Sequence, residues 1–347
     1  MLKGRSMLTR VSFIAAAVAA AFATLSVGAI AADQPAQANP YAAPQSASAT
    51  DFIEVFAKLN GKTPGYRKGH ARGVCAAGEF VPSAAARQRF ATPLFAVDKA
   101  PLIMRFSMGG GNPNADERRG ARGLGIQFQL DDNQFHHIAG LTVPLFAGKN
   151  PQQFLGLLQW SAKIQAGEAT PADLQKYFAA NPEMQAQREW SQGRQASAEY
   201  TSSNYYGIHA FFADQPNAAA QAFRWQLEPV AGEQQLTAAE VESLPPSFLD
   251  ERLTERLKKD GKVVFNWVWT LAEPGDATNN PAQLWPADRE QVTIGTITVT
   301  SSGSDQCEPV NFDPMRVALG ISPSDDPVLP IRSVAYAISQ GMRLNNQ

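Results

Sequence analysis

Two cysteines and four histidines are all that 347 residues provide as thiolate or imidazole metal ligands. Cys75 and Cys307 lie too far apart in sequence to form a zinc site alone, and two cysteines do not make a disulfide framework. Whether they pair depends on the fold, because a bridge needs close Cα atoms. Charge is also sparse. Charged residues make up 18% of the chain and the formal net charge is -2, which excludes a surface built for nucleic acid. After residue 27 no apolar run reaches the roughly 20 residues that a membrane span requires.

What is present is a hydrophobic fraction of 44% and enough length for one large domain. Lys3, Arg5 and Arg10 precede an apolar run over 11–27, and Ala29-Ile30-Ala31 offers small residues for cleavage. Residues 1–31 therefore read as a secretory signal peptide. Residues 32–50, rich in Gln, Ala, Pro and Ser, read as a flexible linker, and 51–347 as a single folded domain. The expected location is the periplasm, with no stable membrane insertion after signal cleavage.

Residues 51–60 carry apolar side chains at helical spacing ahead of Gly61 and Pro64. Strand character marks 102–107, 125–130, 205–212, 222–227, 263–271 and 291–300. Helical periodicity marks 151–164, 172–178, 237–244 and 247–260. The pattern predicts an α+β fold in which a mostly antiparallel sheet or barrel is interrupted by helices. His136 and His137 are adjacent in a strand-like stretch, so they point to opposite faces and do not form a bidentate metal pair.

Near the C-terminus, Arg332, Tyr336, Gln340 and Arg343 fall at i, i+4, i+8 and i+11. If that stretch is helical, a phenol lies between cations on one face, with Ala335, Ala337 and Gly341 keeping the neighbourhood low. A nearby guanidinium stabilises negative charge on a phenol oxygen, and such an oxygen is a hard ligand for ferric iron. Taken alone, the same spacing also describes an amphipathic helix docked on a core. Upstream, Arg105 sits in the apolar stretch 101–107, where a buried guanidinium requires an anion. His70 lies among glycines that leave room for a flat ligand.

Several segments, in order, resemble the catalase superfamily from about residue 51 onward. They are His70-Ala-Arg-Gly73 with Gly78-Glu-Phe80, Arg105-Phe-Ser107, Arg122-Gly-Leu-Gly-Ile-Gln-Phe128, Tyr206-Gly-Ile-His209-Ala-Phe211, Phe312-Asp-Pro314, Gly320-Ile-Ser-Pro-Ser324 and Arg332-x-x-x-Tyr336. The resemblance implies an eight-stranded antiparallel β-barrel with inserted and flanking helices and a buried haem b (iron protoporphyrin IX). It implies Tyr336 as axial ligand to the iron, Arg332 holding the phenol proton off, and His209 behind that arginine. His70, aided by Ser107, is implied as the catalytic group on the other face. Arg67, Arg105 and Arg343 match positions that pair with haem propionates, and Phe146 and Phe154 match aromatics that keep the pocket dry.

One departure bears on activity. Where the family has Gly-Asn-Asn-Thr-Pro, this chain has Gly140-Leu-Thr-Val-Pro144, so Leu141 replaces a distal amide and only Thr142 stands nearby to substitute. Gly69 also replaces a branched apolar neighbour of His70. The chain stops shortly after Arg343, and it most resembles the short, exported catalase-related peroxidases. The resemblance implies a peroxidase that reduces hydrogen peroxide or small organic peroxides with an organic electron donor, shows weak or no catalase activity and serves antioxidant defence. Two other readings stand beside it: a haem enzyme that rearranges fatty-acid hydroperoxides, and a non-enzymatic periplasmic haem-binding or lipocalin-like carrier barrel. The sequence leaves open whether the chain works as a homo-oligomer.

Overall fold

The computed structural model describes residues 39–346, so the expected signal peptide over 1–31 lies outside the described residues. Pro40–Gln347 form one compact unit. The linker expected over 32–50 is docked where it is described. The Tyr41 ring stacks on Trp160 at 5.2 Å and its hydroxyl donates to Asp173 at 3.0 Å. An amphipathic aromatic there converts a polar stretch into an anchored one.

The chain opens with helix α1 (Ala49–Asn60), capped by a reciprocal Ser48 and Asp51 box. Then come β1 (Gly73–Pro82), α2 (Ala84–Arg89), α3 (Pro93–Ala96), β2 (Ala100–Met108), β3 (Arg122–Gln129) and β4 (Phe135–Leu141). A helical excursion follows, α4 (Pro151–Gln165), α5 (Pro171–Ala180) and α6 (Gln185–Ser191). The sheet resumes with β5 (Tyr205–Tyr206), β6 (Phe211–Gln215) and β7 (Ala218–Pro229). Helices α7 (Ala238–Ser243) and α8 (Leu249–Asp260) precede β8 (Val263–Leu271), β9 (Gln291–Ser302), β10 (Ile321–Pro323) and α9 (Val328–Leu344).

All pairings are antiparallel, in the order β7-β5-β4-β3-β2-β1-β9-β8, and β8 pairs again with β7. Eight strands thus close into a barrel, while β6 and β10 extend from β7 outside the ring. The sequence reading runs 205–212 together as one strand. The structure breaks it at 207–210, where Gly207 packs so close to the Trp225 indole that a Cβ would overlap it. The sequence predicts no strand over β1 because its small residues carry little β signature. It forms through pairing with β2 and β9 on either side.

The barrel interior is filled. Phe80, Phe106, Phe128, Phe265, Trp267 and Trp269 are almost wholly buried, and the Phe128 ring stacks on Trp267 at 5.0 Å. An eight-stranded barrel has an interior that side chains of this size can fill. It leaves no lipocalin-type cup, which removes the carrier-barrel reading in that form. Side chains alternate along a strand, so Arg105 and Ser107 point away from the interior that Met104 and Phe106 fill. A ligand site must therefore lie on the outer wall. Among the described residues no helix is long and apolar enough to cross a membrane.

Candidate active site

A cavity of about 270 Å³ lies against the outer face of β2, β3 and β4, closed by residues of α1, α4 and α9. Helix α9 gives it Arg332, Ala335, Tyr336, Ser339, Gln340 and Arg343. The spacing is that of one helical face, as the sequence suggests. Ala337 and Gly341 are instead exposed on another side of α9, so of the three small residues only Ala335 opens the pocket. Phe52 of α1 and Phe154 of α4 stack at 5.7 Å, and Phe154 meets Phe146 at 4.7 Å, which makes one end apolar.

On the α9 side, Arg332 Nη2 donates to Tyr336 Oη at 2.6 Å and Nη1 donates to His209 Nε2 at 2.7 Å. A guanidinium only donates, so Nε2 must accept, and the ring proton sits on Nδ1. Nδ1 then donates to Asp326 Oδ2 at 2.7 Å. Burial, against the opposing pull of Asp326, holds His209 down at about 4, so this is a neutral imidazole hydrogen-bonded to a carboxylate rather than an ion pair. Asp326 is almost fully buried, and its other oxygen accepts from Val328 N at the start of α9 at 2.9 Å. The same carboxylate thereby fixes the helix and orients the arginine. Its sequence signal was only an acidic residue just before a helix, which N-terminal capping explains equally well.

On the barrel side, His70 Nδ1 lies 3.0 Å from Ser107 Oγ. Burial first, then the charges of Arg105, Arg332 and Arg67, push the imidazole down to about 4. His70 adopts a left-handed backbone with φ 55°. For a non-glycine residue this conformation is uncommon and concentrates at functional sites. The ring presses on Gly123 of β3, where a Cβ would overlap it. Gly123 is thus needed for the His70 ring to sit this close to β3.

The substituted distal stretch is resolved by the sheet register. Leu141 lines the cavity, whereas Thr142 Oγ1 accepts the backbone N–H of Arg122 at 3.1 Å. Thr142 does not replace the missing amide.

The cavity's polar end holds Arg67, Arg105 and Arg343. Arg105 donates to the carbonyls of His70 at 2.8 Å and Ala71 at 2.9 Å, and Arg67 to those of Cys307 and Val310 at 3.0 and 3.1 Å. One carboxylate, Glu308, stands among them, a residue the sequence reading missed. Cys75 and Cys307 form a disulfide, which places Glu308 beside Arg105. The pairing left open by sequence is therefore present, and the cluster of Cys75, Cys307 and Glu308 is a covalent clamp rather than a set of metal ligands.

A haem fits these residues on one structural observation. Arg67 Nε, Arg343 Nε and Arg343 Nη2 are buried with no hydrogen-bond partner. Buried donors normally have one, so these are suited to carboxylates that a ligand brings. The nine expected site residues, namely Arg67, His70, Arg105, Ser107, Phe146, Phe154, Arg332, Tyr336 and Arg343, all line this one cavity. His136 and His137 do not: His136 Nδ1 accepts from Ala318 N at 3.1 Å and His137 Nε2 lies 3.0 Å from Gln127 Oε1.

Comparison with known proteins agrees with this geometry. The catalase family profile matches residues 25–347. The chain is 38% identical over 289 residues to a catalase-related peroxidase of Synechococcus elongatus, covering 82% of this chain and 85% of that protein. It is 33% identical over 296 residues to a catalase-related peroxidase of Mycolicibacterium paratuberculosis, covering 84% and 93%. Catalase A from Saccharomyces cerevisiae superposes with a TM-score of 0.72 at 20% identity, covering 84% of this chain and 64% of that one. A fungal catalase gives 0.72 at 19%, covering 84% and 62%. The chain spans less than two thirds of both solved structures, and these share its fold. With the family profile extending over nearly its whole length, this chain belongs to the catalase family.

Proposed function

We propose that the chain is a haem peroxidase that reduces hydrogen peroxide or small organic hydroperoxides at the expense of an organic electron donor. The observation that carries this reading is a single cavity shared by a neutral His70 and a Tyr336 oxygen held by Arg332 at 2.6 Å. Tyr336 would ligate the iron of haem b, and Arg67, Arg105 and Arg343 would take its propionates. When bound, the haem supplies a redox-active ferric centre at which a peroxide O–O bond is cleaved.

The chain's own residues then have defined tasks. Arg332 donates a charge-assisted hydrogen bond to Tyr336 Oη, which leaves a lone pair of that oxygen for a metal. His209 and Asp326 hold Arg332 in that pose. With Nδ1–H donated to Ser107 Oγ, His70 keeps Nε2 free to accept a proton from one peroxide oxygen and return it to the other. Phe146 and Phe154 exclude water from that transfer.

The distal side favours peroxidation over dismutation. Leu141 offers no hydrogen bond to orient a second peroxide, and Thr142, whose Oγ1 accepts from Arg122 N, does not line the cavity. An external donor would therefore return the enzyme to its resting state, which suits a role in antioxidant defence. A formed disulfide supports an oxidising compartment, in line with export to the periplasm.

The test uses the purified chain loaded with haem. Oxygen release and oxidation of an organic donor are followed with the same peroxide. Donor oxidation should exceed oxygen release and should collapse in His70→Ala while the visible spectrum still reports bound haem. Full activity in that variant, or oxygen release as the main product, would overturn the reading.

A further inference from the structure

Three guanidiniums at the polar end of the cavity converge on a carboxylate that the proposed reaction does not use. Arg105 Nε lies 3.3 Å from Glu308 Oε1, Arg343 Nη1 lies 3.1 Å from Oε2, and Arg67 Nη2 lies 3.7 Å from Oε2. The other bonds made by these arginines go to backbone carbonyls, including that of Glu308, and carbonyls carry no charge. Three positive charges therefore face one negative charge, a surplus of two. The unpartnered Arg67 Nε, Arg343 Nε and Arg343 Nη2 belong to this same cluster.

The fold puts Glu308 here by covalent means. Cys75 stands opposite Arg105 in the β1–β2 register, and the disulfide holds Cys307 with its Cα 5.4 Å from that of Cys75. The next residue along the chain is Glu308. Its setting differs from that of its partners: the arginine side chains are 14%, 6% and 6% exposed, whereas Glu308 is 43% exposed. A carboxylate that reaches buried cations from a half-exposed position can trade them for water, as a fully buried one cannot.

We propose that Glu308 is a counter-charge that tempers the arginine cluster, trimming it to a surplus of two and so matching it to a ligand edge bearing two carboxylates. This rests on the haem reading above. An arginine cluster without Glu308 would attract every carboxylate more strongly, because the pull on each scales with the charge it faces. It would equally attract inorganic anions, so the counter-charge weakens the pull on both. Glu308 also stabilises the cluster before a ligand arrives. Burial and the neighbouring Arg105 and Arg343 already push Arg67 down to about 9, and Glu308 opposes that shift.

The experiment compares two porphyrins that differ in edge charge, the neutral one carrying two added methyl groups. The full chain freed of porphyrin is titrated with ferric protoporphyrin IX and with its dimethyl ester, and each Kd is read from the Soret band. The ratio of ester Kd to diacid Kd measures the pull on the carboxylates. Glu308→Gln should raise that ratio on the order of tenfold by tightening the diacid and leaving the ester in place. Glu308→Ala, a second way of removing the charge, should do the same, and Glu308→Asp should keep the parental ratio. An unchanged or lowered ratio in both neutral variants overturns the proposal, as does an equal shift for both porphyrins, which marks a packing role. If the parent chain binds neither porphyrin, the haem reading itself fails and this inference falls with it.

Discussion

Arg332 reaches Tyr336 Oη with one guanidinium nitrogen and His209 Nε2 with the other, at 2.6 and 2.7 Å. The first contact is one helical turn long and the second crosses 123 residues of sequence, so a single side chain joins a local motif to the barrel. Asp326 completes the chain of bonds by holding the His209 tautomer.

Replacing Arg332 by Ala should therefore weaken haem binding without unfolding the chain. A hydrogen bond to a charged group contributes about 1.5–3 kcal/mol, so the expected loss is roughly ten- to a hundredfold in affinity. Tyr336→Phe should change the visible spectrum as well as the affinity. Titration of the two variants with haem checks this, and an unaltered spectrum in Tyr336→Phe would sink the ligand assignment.

Leu141→Asn restores an amide on the distal wall of the cavity. Oxygen release from hydrogen peroxide should rise on the order of a hundredfold, the lower end of what a placed hydrogen-bond donor contributes to a reaction. Thr142→Ala is the control. Its hydroxyl serves Arg122 N, so activity should hold while stability drops by about 1 kcal/mol. An oxygen electrode and a urea titration separate the two effects.

Breaking the Cys75–Cys307 bridge should cost stability and loosen the polar end of the cavity. The bridge closes a sequence separation of 232, and loss of a native disulfide costs about 2–5 kcal/mol. The double substitution Cys75→Ala with Cys307→Ala should lower the urea midpoint accordingly. It should also speed haem dissociation, because the carbonyls of Cys307 and Val310 that hold Arg67 lie on the freed segment. An unchanged dissociation rate would show that this segment keeps its place without the covalent link.

Acid should destabilise the fold over a window set by its histidines. Burial pushes His136 down to about 3 and His70, His137 and His209 to about 4, against an ordinary value of 6.5. All four shifts are downward, so below 6.5 the unfolded chain binds more protons than the folded one. Their stabilising effect is fully present above 6.5 and is lost as pH falls toward 4. The slope is up to about 1.4 kcal/mol per pH unit for each histidine kept neutral. Urea midpoints measured from pH 7 to 4.5 should fall steadily, and a flat profile would contradict this burial.

The terminal motif was legible because a helix turns spacing into adjacency: Arg332, Tyr336 and Arg343 share a face whatever surrounds them. The barrel's long strands β8 and β9 were readable for the same kind of reason, since they carry dense aromatic and β-branched patterns. Strand β1, with its alanines and glycines, was not, because its place depends on the two strands that flank it.

The sequence by itself determined the residue types of the site, their order, and the loss of the distal amide at Leu141. Tertiary structure alone decided that the barrel is filled and the cavity lies outside it, that Thr142 faces the backbone, that Cys75 bonds to Cys307, and that Asp326 and Glu308 join the arginines. The reason is distance in the chain. Glu308 meets Arg105 across 203 residues and Asp326 meets His209 across 117, and no local periodicity encodes contacts of that span. They arise only when antiparallel pairing and helix docking bring separate segments onto one wall.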